Sequence, residues 1–149
     1  MSVGTTLVQF KSALVSKLTA RPGLAGVQIS YGFPDEAIEA EAIWLQDANS
    51  TDSIPTFKTG PVRVEEVYTV VVACQVLKSD GSTQEEADTR AVAILSEVQQ
   101  ALAVEPRLID EILYAQLAGW KHSTGVLPTG NGHGSRFDVQ VQVRARLHP

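Results

Sequence analysis

Cys74, three histidines and several adjacent carboxylates are the residues of this 149-residue chain with the chemistry of a reactive site. A nucleophilic cysteine needs an accessible, electropositive setting that holds the thiolate, and a histidine nearby. Cys74 stands instead among Val70, Val71, Val72 and Val76, which points to an inert core thiol. His122, His133 and His148 lie outside any HExxH pattern, with no His or Cys at metal-ligand spacing, and read as surface histidines. The run Gly130-Asn131-Gly132-His133-Gly134 has the glycines of a phosphate cradle, but a cradle follows a strand and opens a helix, and this run leads into a strand. Asp35/Glu36, Glu65/Glu66 and Glu85/Glu86 make no acid/base pair by adjacency, since neighbours on a strand point to opposite faces. Glu85 and Glu86 suit the start of a helix, where its dipole favours negative charge. The Asn49-Ser50-Thr51 sequon needs a secretory route. The expectation is a protein that is not an enzyme and holds no cofactor and no metal.

What remains is surface. Arg136, Arg144 and Arg146 share the polar face of the last strand with Asp138, Gln140 and Gln142, and Arg63 shares a strand face with Glu65. Such an array is either an ordinary solvated sheet face, with ion pairs worth under about 1 kcal/mol each, or an interface with a complementary neighbour. Trp44 and Trp120 serve either the core or such an interface. Residues 49–60 read NSTDSIPTFKTG, a polar run without periodicity that contains Phe57 and Lys58. Loops of this length tend to be functional, so it and the long strand after it are placed at contacts with partners. The candidate interface residues are thus Trp44, Phe57, Lys58, Arg63, Glu65, Trp120, Arg136, Asp138, Arg144 and Arg146.

The elements that must position these residues follow from hydrophobic periodicity. Residues 6–18 carry Leu7, Phe10, Ala13, Leu14 and Leu18 on one helical stripe, with Thr5 or Thr6 as cap and Arg21-Pro22-Gly23 as stop. Residues 27–31 alternate as a short strand, and residues 38–45 favour a strand over their second half. Residues 62–77 form the longest strand candidate, long enough for part of it to project beyond the core sheet. Ser82 or Thr83 with Glu85 or Glu86 makes a capping box for a helix bearing Ala87, Ala91, Ile94, Leu95, Val98, Ala101 and Leu102. Residues 113–122 read as a strand, 125–134 as a flexible connection, and 137–147 as a strand with one polar face. The order α-β-β-β-α-β-β predicts an α+β fold in one domain, residues 1–149. It has a mainly antiparallel sheet of four to five strands, two helices packed on one face, and a second face that stays polar unless a partner covers it.

Composition narrows the partners. With 12 Lys+Arg against 17 Asp+Glu the net charge is −5, and no basic cluster offers phosphates a footing. No apolar run reaches the roughly 18 residues that would span a bilayer. The first residues lack a basic and apolar leader, and the single cysteine makes no internal disulfide, so a cytoplasmic origin is expected.

The order of elements and the phrases that punctuate it resemble the tail terminator proteins of long-tailed bacteriophages with non-contractile tails. The resemblance rests on Arg21-Pro22-Gly23-Leu24 followed by Val27-Gln28-Ile29-Ser30-Tyr31-Gly32, and on Arg63-Val64-Glu65-Glu66-Val67-Tyr68 before an apolar strand. It rests also on the Ala-rich helix leading to Glu105-Pro106-Arg107-Leu108, and on the terminal Val141-Gln142-Val143-Arg144-Ala145-Arg146. The resemblance implies a homo-oligomer, a hexameric ring on the head-proximal end of the tail tube, assembled in the host cytoplasm and carried in the neck region of the virion. It implies the tail tube protein and the neck connector, or head-tail stopper, as partners. DNA would pass through the lumen without specific binding, and no membrane is involved. Neck and head-completion ring proteins share this plan and stand as the alternative, with a small α+β enzyme or ligand-binding domain behind them.

Overall fold

The computed structural model describes residues 4–51, 64–128 and 130–147. Along the chain come α1 (Leu7–Thr19), a 3-10 turn (Pro22–Leu24), β1 (Gln28–Ser30), β2 (Glu41–Thr51), β3 (Val64–Lys78), α2 (Gln84–Val104), β4 (Ile112–Val126) and β5 (His133–Leu147). The five strands make one sheet in the order β1-β2-β3-β5-β4. The α+β class and the α-β-β-β-α-β-β order are those read from the sequence, but the sheet is mixed. β1 runs parallel to β2, because residues 31–40 return the chain to the end from which β1 started. The remaining pairings are antiparallel.

Both helices lie on one face. Phe10, Leu14 and Leu18 of α1 and Ala91, Ile94, Val98, Ala101 and Leu102 of α2 join Val70, Val72, Cys74 and Val76 of β3 and Val139, Val141 and Val143 of β5 in one buried cluster. Each large aliphatic or aromatic side chain taken from water there contributes about 1.5–3 kcal/mol. The predicted capping box is Thr83 with Glu86. The Thr83 hydroxyl accepts from the Glu86 N–H at 3.2 Å, and the Glu86 carboxylate accepts from the Thr83 N–H at 3.2 Å. α1 is capped differently. Thr6 N–H and Thr6 Oγ1 both donate to Glu66 Oε1 at 2.7 Å, so a strand carboxylate serves the helix N-terminus, where its charge is favourable. Arg21 to Glu97 at 2.8 Å and the Lys17–Glu105 ion pair clamp the end of α1 to α2.

Several boundaries depart from the sequence reading. β2 continues to Thr51, so Asn49 to Thr51 belong to a strand rather than a loop, and the rest of the 49–60 run lies outside the described residues. β3 is paired with β5 along its whole length, from Val64↔Leu147 to Lys78↔His133, so none of it projects alone. β4 and β5 reach further toward each other than expected, and the turn between them is held. Gly132 has φ 148°, and a Cβ there would lie 1.9 Å from the Lys78 carbonyl oxygen, so only glycine lets this turn close on the one before α2.

The second face is not polar throughout. Ala42, Trp44 and Ala73 are buried on it with Ile38 packed against them, because residues 31–40 fold over this end of the sheet. Bulges interrupt β2 between Leu45 and Ala48, and β4 between Ile112 and Tyr114 and between Leu117 and Gly119. The last one matters for the site. Were Ala118 paired in unbroken register, Trp120 would face Asp138 on the polar side, whereas with Ala118 left out of the ladder it pairs with Val139 and so stands on the helix-covered face.

Candidate functional site

The residues able to do chemistry are used structurally. Cys74 is fully buried, and burial, with the Asp138 charge adding to it, pushes its thiol up to about 12. It therefore stays protonated and unreactive at neutral pH. His122 is not a free surface histidine. Its Nε2 lies 2.9 Å from Ser135 Oγ and 3.3 Å from Asp88 Oδ1, and its ring stacks on Phe137 with centroids 4.6 Å apart. Serine, histidine and aspartate thus meet, but both partners crowd the same nitrogen. A nucleophilic triad needs the carboxylate on the other one, to orient the ring, and Ser135 is buried at 1% exposure. Burial works against the Asp88 charge, but hydrogen bonds from Gln84 and Ser135 and the His122 charge outweigh it and lower its pKa. Gln84 Nε2 also donates to the Gly134 carbonyl at 3.0 Å, so the group ties the first turn of α2 to β4 and β5. His133 Nδ1 lies 2.9 Å from the Ser82 carbonyl oxygen, which only accepts, so Nδ1 carries the proton there. His148 lies outside the described residues.

The register carries the polar array onto the second face. Arg136, Asp138, Gln140, Gln142, Arg144 and Arg146 alternate along β5, opposite Gln75, Ala73, Val71, Thr69, Val67 and Glu65 of β3. Arg136 Nε pairs with Asp138 Oδ1 at 2.9 Å, and Arg144 Nη2 reaches diagonally to Glu65 Oε2 at 2.6 Å. Arg146 makes no ion pair among the described residues. Between these ends lies an uncharged strip of Val67, Thr69, Val71, Gln140 and Gln142. Phe57, Lys58 and Arg63 fall outside the described residues.

The two tryptophans part company. Trp44 is 1% exposed, so it is a core residue of the second face rather than an exposed anchor. Phe33 stands edge-on to it at 5.5 Å, and the Arg136 guanidinium lies 5.2 Å from its ring centre. With the Gln46 amide oxygen turned toward both donors, Gln46 accepts from Trp44 Nε1 at 3.2 Å and from Arg136 Nη2 at 2.7 Å. Trp120 is 60% exposed on the outermost strand, its ring edge-on to Phe137 at 5.3 Å. Its neighbour Lys121 is exposed and makes no ion pair among the described residues. Nothing in the sequence marks Lys121, Tyr31 and Phe33 as exposed, because their exposure depends on which strands lie at the sheet edges.

No helix among the described residues is long and apolar enough to cross a membrane. No group of three or more potential metal ligands occurs among the same residues. No protein-family model and no curated protein matches the chain. Among solved structures, the fold is similar to that of a chain from the virion of a native gene transfer agent particle. The likeness has a TM-score of 0.63 at 16% sequence identity, over 91% of this chain and 93% of that one.

Proposed function

We propose that this chain is a virion structural protein, a tail terminator whose ring caps the head-proximal end of a tail tube and presents the surface that joins tube to head. The observation that carries the reading is the shared fold with a virion chain over nearly the full length of both. The resemblance drawn from the sequence points the same way, as does a surface built of ion-paired arginines, glutamines and an exposed tryptophan rather than of reactive groups. Subunits join side by side, head to tail, into a closed ring of about six copies. One ring face stands in for the next layer of the tube and the other refuses further tube subunits. The chain works in the neck region, after assembly in the host cytoplasm, and has no catalytic activity. Net charge −5 suits a lumen through which DNA slides without being gripped.

Light scattering across concentration, with negative-stain images of the same sample and of that sample mixed with purified tail tubes, tests the reading. Rings seated at one end of the tubes are expected. A protein that leaves tubes uncapped but binds emptied heads is a neck or head-completion ring, which the same fold likeness would equally suit. A monomer that binds neither overturns the proposal.

A further inference from the structure

We infer that the ring is closed by two particular edges of the sheet: Trp120 and Lys121 on β4 of one copy meet the segment after β1, Tyr31 to Glu36, of the next. The inference rests on the ring reading above and adds the surface that makes it. Three aromatic rings are strongly exposed among the described residues: Tyr31 at 40%, Phe33 at 64% and Trp120 at 60%. Trp120 lies on β4, the last strand of the sheet, Tyr31 directly follows β1, the first, and Phe33 lies over Trp44 of β2 beside that first edge.

The two ends are level. The pairings Ser30↔Trp44, Trp44↔Ala73, Ala73↔Asp138 and Asp138↔Lys121 put the last residue of β1 and Lys121 on one row across the sheet. Copies related by rotation in a ring keep the same direction along the axis, so equal height is what a side-by-side contact requires.

The faces match as well. Tyr31 lies on the helix side, with Lys11 of α1 4.9 Å from its ring centre, and Trp120 is on the helix side because of the Gly119 bulge. Phe33 lies on the other side, over Trp44, and Lys121 pairs with Asp138 on that same side. Charge is complementary. Asp35 and Glu36 are exposed and form no ion pair among the described residues, and the same holds for Lys121. Trp120 therefore packs against the Tyr31 and Lys11 pair, a ring against a ring and a cation, while Lys121 reaches the carboxylates beside Phe33. The bulge then has a use beyond the monomer, since it turns Trp120 to the side where the neighbouring ring lies.

Zero-length carbodiimide coupling of the assembled protein, followed by peptide mass analysis, tests the contact. Within one chain β1 and β4 are four strand spacings, about 19 Å, apart, so a bond from Lys121 to Asp35 or Glu36 reports two copies. That bond is expected. Trp120→Ala and Lys121→Glu should each weaken ring formation about tenfold or more at unchanged circular dichroism. Asp35→Lys with Glu36→Lys should restore assembly to Lys121→Glu. Rings that survive both single substitutions and yield no such bond overturn this interface and leave the capping reading in place. A wild-type chain that stays monomeric both alone and on tail tubes overturns the interface and the ring together.

Discussion

Glu41 binds Arg90 with both oxygens, at 2.6 Å from Nε and 2.9 Å from Nη2, and so fastens the start of β2 to α2. The Arg90 hydrogen bond lowers the Glu41 pKa from 4.5, with partial burial acting against it and the Arg90 and Lys78 charges adding to it. A carboxyl whose folded pKa lies below its unfolded one contributes stability above the unfolded value and loses it as pH falls through the folded one. Glu41→Gln should therefore cost about 1 kcal/mol near pH 7, and the difference from wild type should close below about pH 4, as read by urea denaturation at both pH values. An equal loss at low pH would mean that packing, not charge, holds the pair. Cys74 gives a second residue-scale test. Its buried thiol should ignore a thiol-reactive dye in the native protein and react once denaturant opens the core. Cys74→Ala should lower stability by about 1 kcal/mol, a small cavity, with assembly unchanged. The sequence sufficed for Cys74, whose valine neighbours announce the core. It did not suffice for His122 or Glu66, whose partners Asp88, Ser135 and Thr6 lie 13 to 60 residues away along the chain.

At the scale of elements, the bulge in β4 decides which face each later side chain takes. Deleting Ala118, the unpaired residue between Leu117 and Gly119, removes the bulge but leaves Gly119↔Gln140 and Trp120↔Val139 paired as before, whereas deleting Ala118 and Gly119 together should either slide residues 120–126 by one place or turn Trp120 onto the polar face opposite Gln140. Trp120 emission and acrylamide quenching should stay as in wild type after the single deletion and change, with a lower melting temperature, after the double one; an unchanged spectrum in the double deletion would deny the register its role. Removing Glu66 tests the junction of α1 and β3. Glu66→Ala leaves the Thr6 N–H without its acceptor, while the Thr6 hydroxyl keeps Tyr68 Oη at 3.0 Å, and should cost about 1–3 kcal/mol by denaturant titration. What the sequence showed of the elements follows the same physics. α2 was readable because Thr83 and Glu86 box its start and an apolar stripe runs its length. β5 was readable because Phe137 to Leu147 alternate with polar residues between buried and open faces. A single-residue bulge has no period of its own, and an edge strand packed on one side only keeps little alternation, so the Leu117/Gly119 kink and the true length of β4 were invisible. The parallel setting of β1 was hidden as well, since it depends on where residues 31–40 carry the chain.

On the scale of the whole molecule, the candidate surface was half legible. The arginine and glutamine array of β5 came from alternation alone, but the proposed lateral contact could not, because Tyr31 and Trp120 lie at opposite ends of the sheet and would meet only across a boundary between two copies. Folding and assembly are linked if that boundary exists. A ring binds only folded chains, so the apparent stability must rise with concentration, by about 2.7 kcal/mol when protein is a hundredfold above the dissociation constant. Melts followed by circular dichroism at concentrations about a hundredfold apart should give a higher melting temperature for the concentrated wild type. Trp120→Ala should show a clearly smaller rise with concentration, and in dilute solution should melt near the dilute wild type, because its 60% exposed ring contributes little to the monomer's own core. A wild-type melting temperature that ignores concentration would mean that the exposed edges of this sheet do not meet in solution. A Trp120→Ala protein that still shows the full dependence would place the contact elsewhere on the ring.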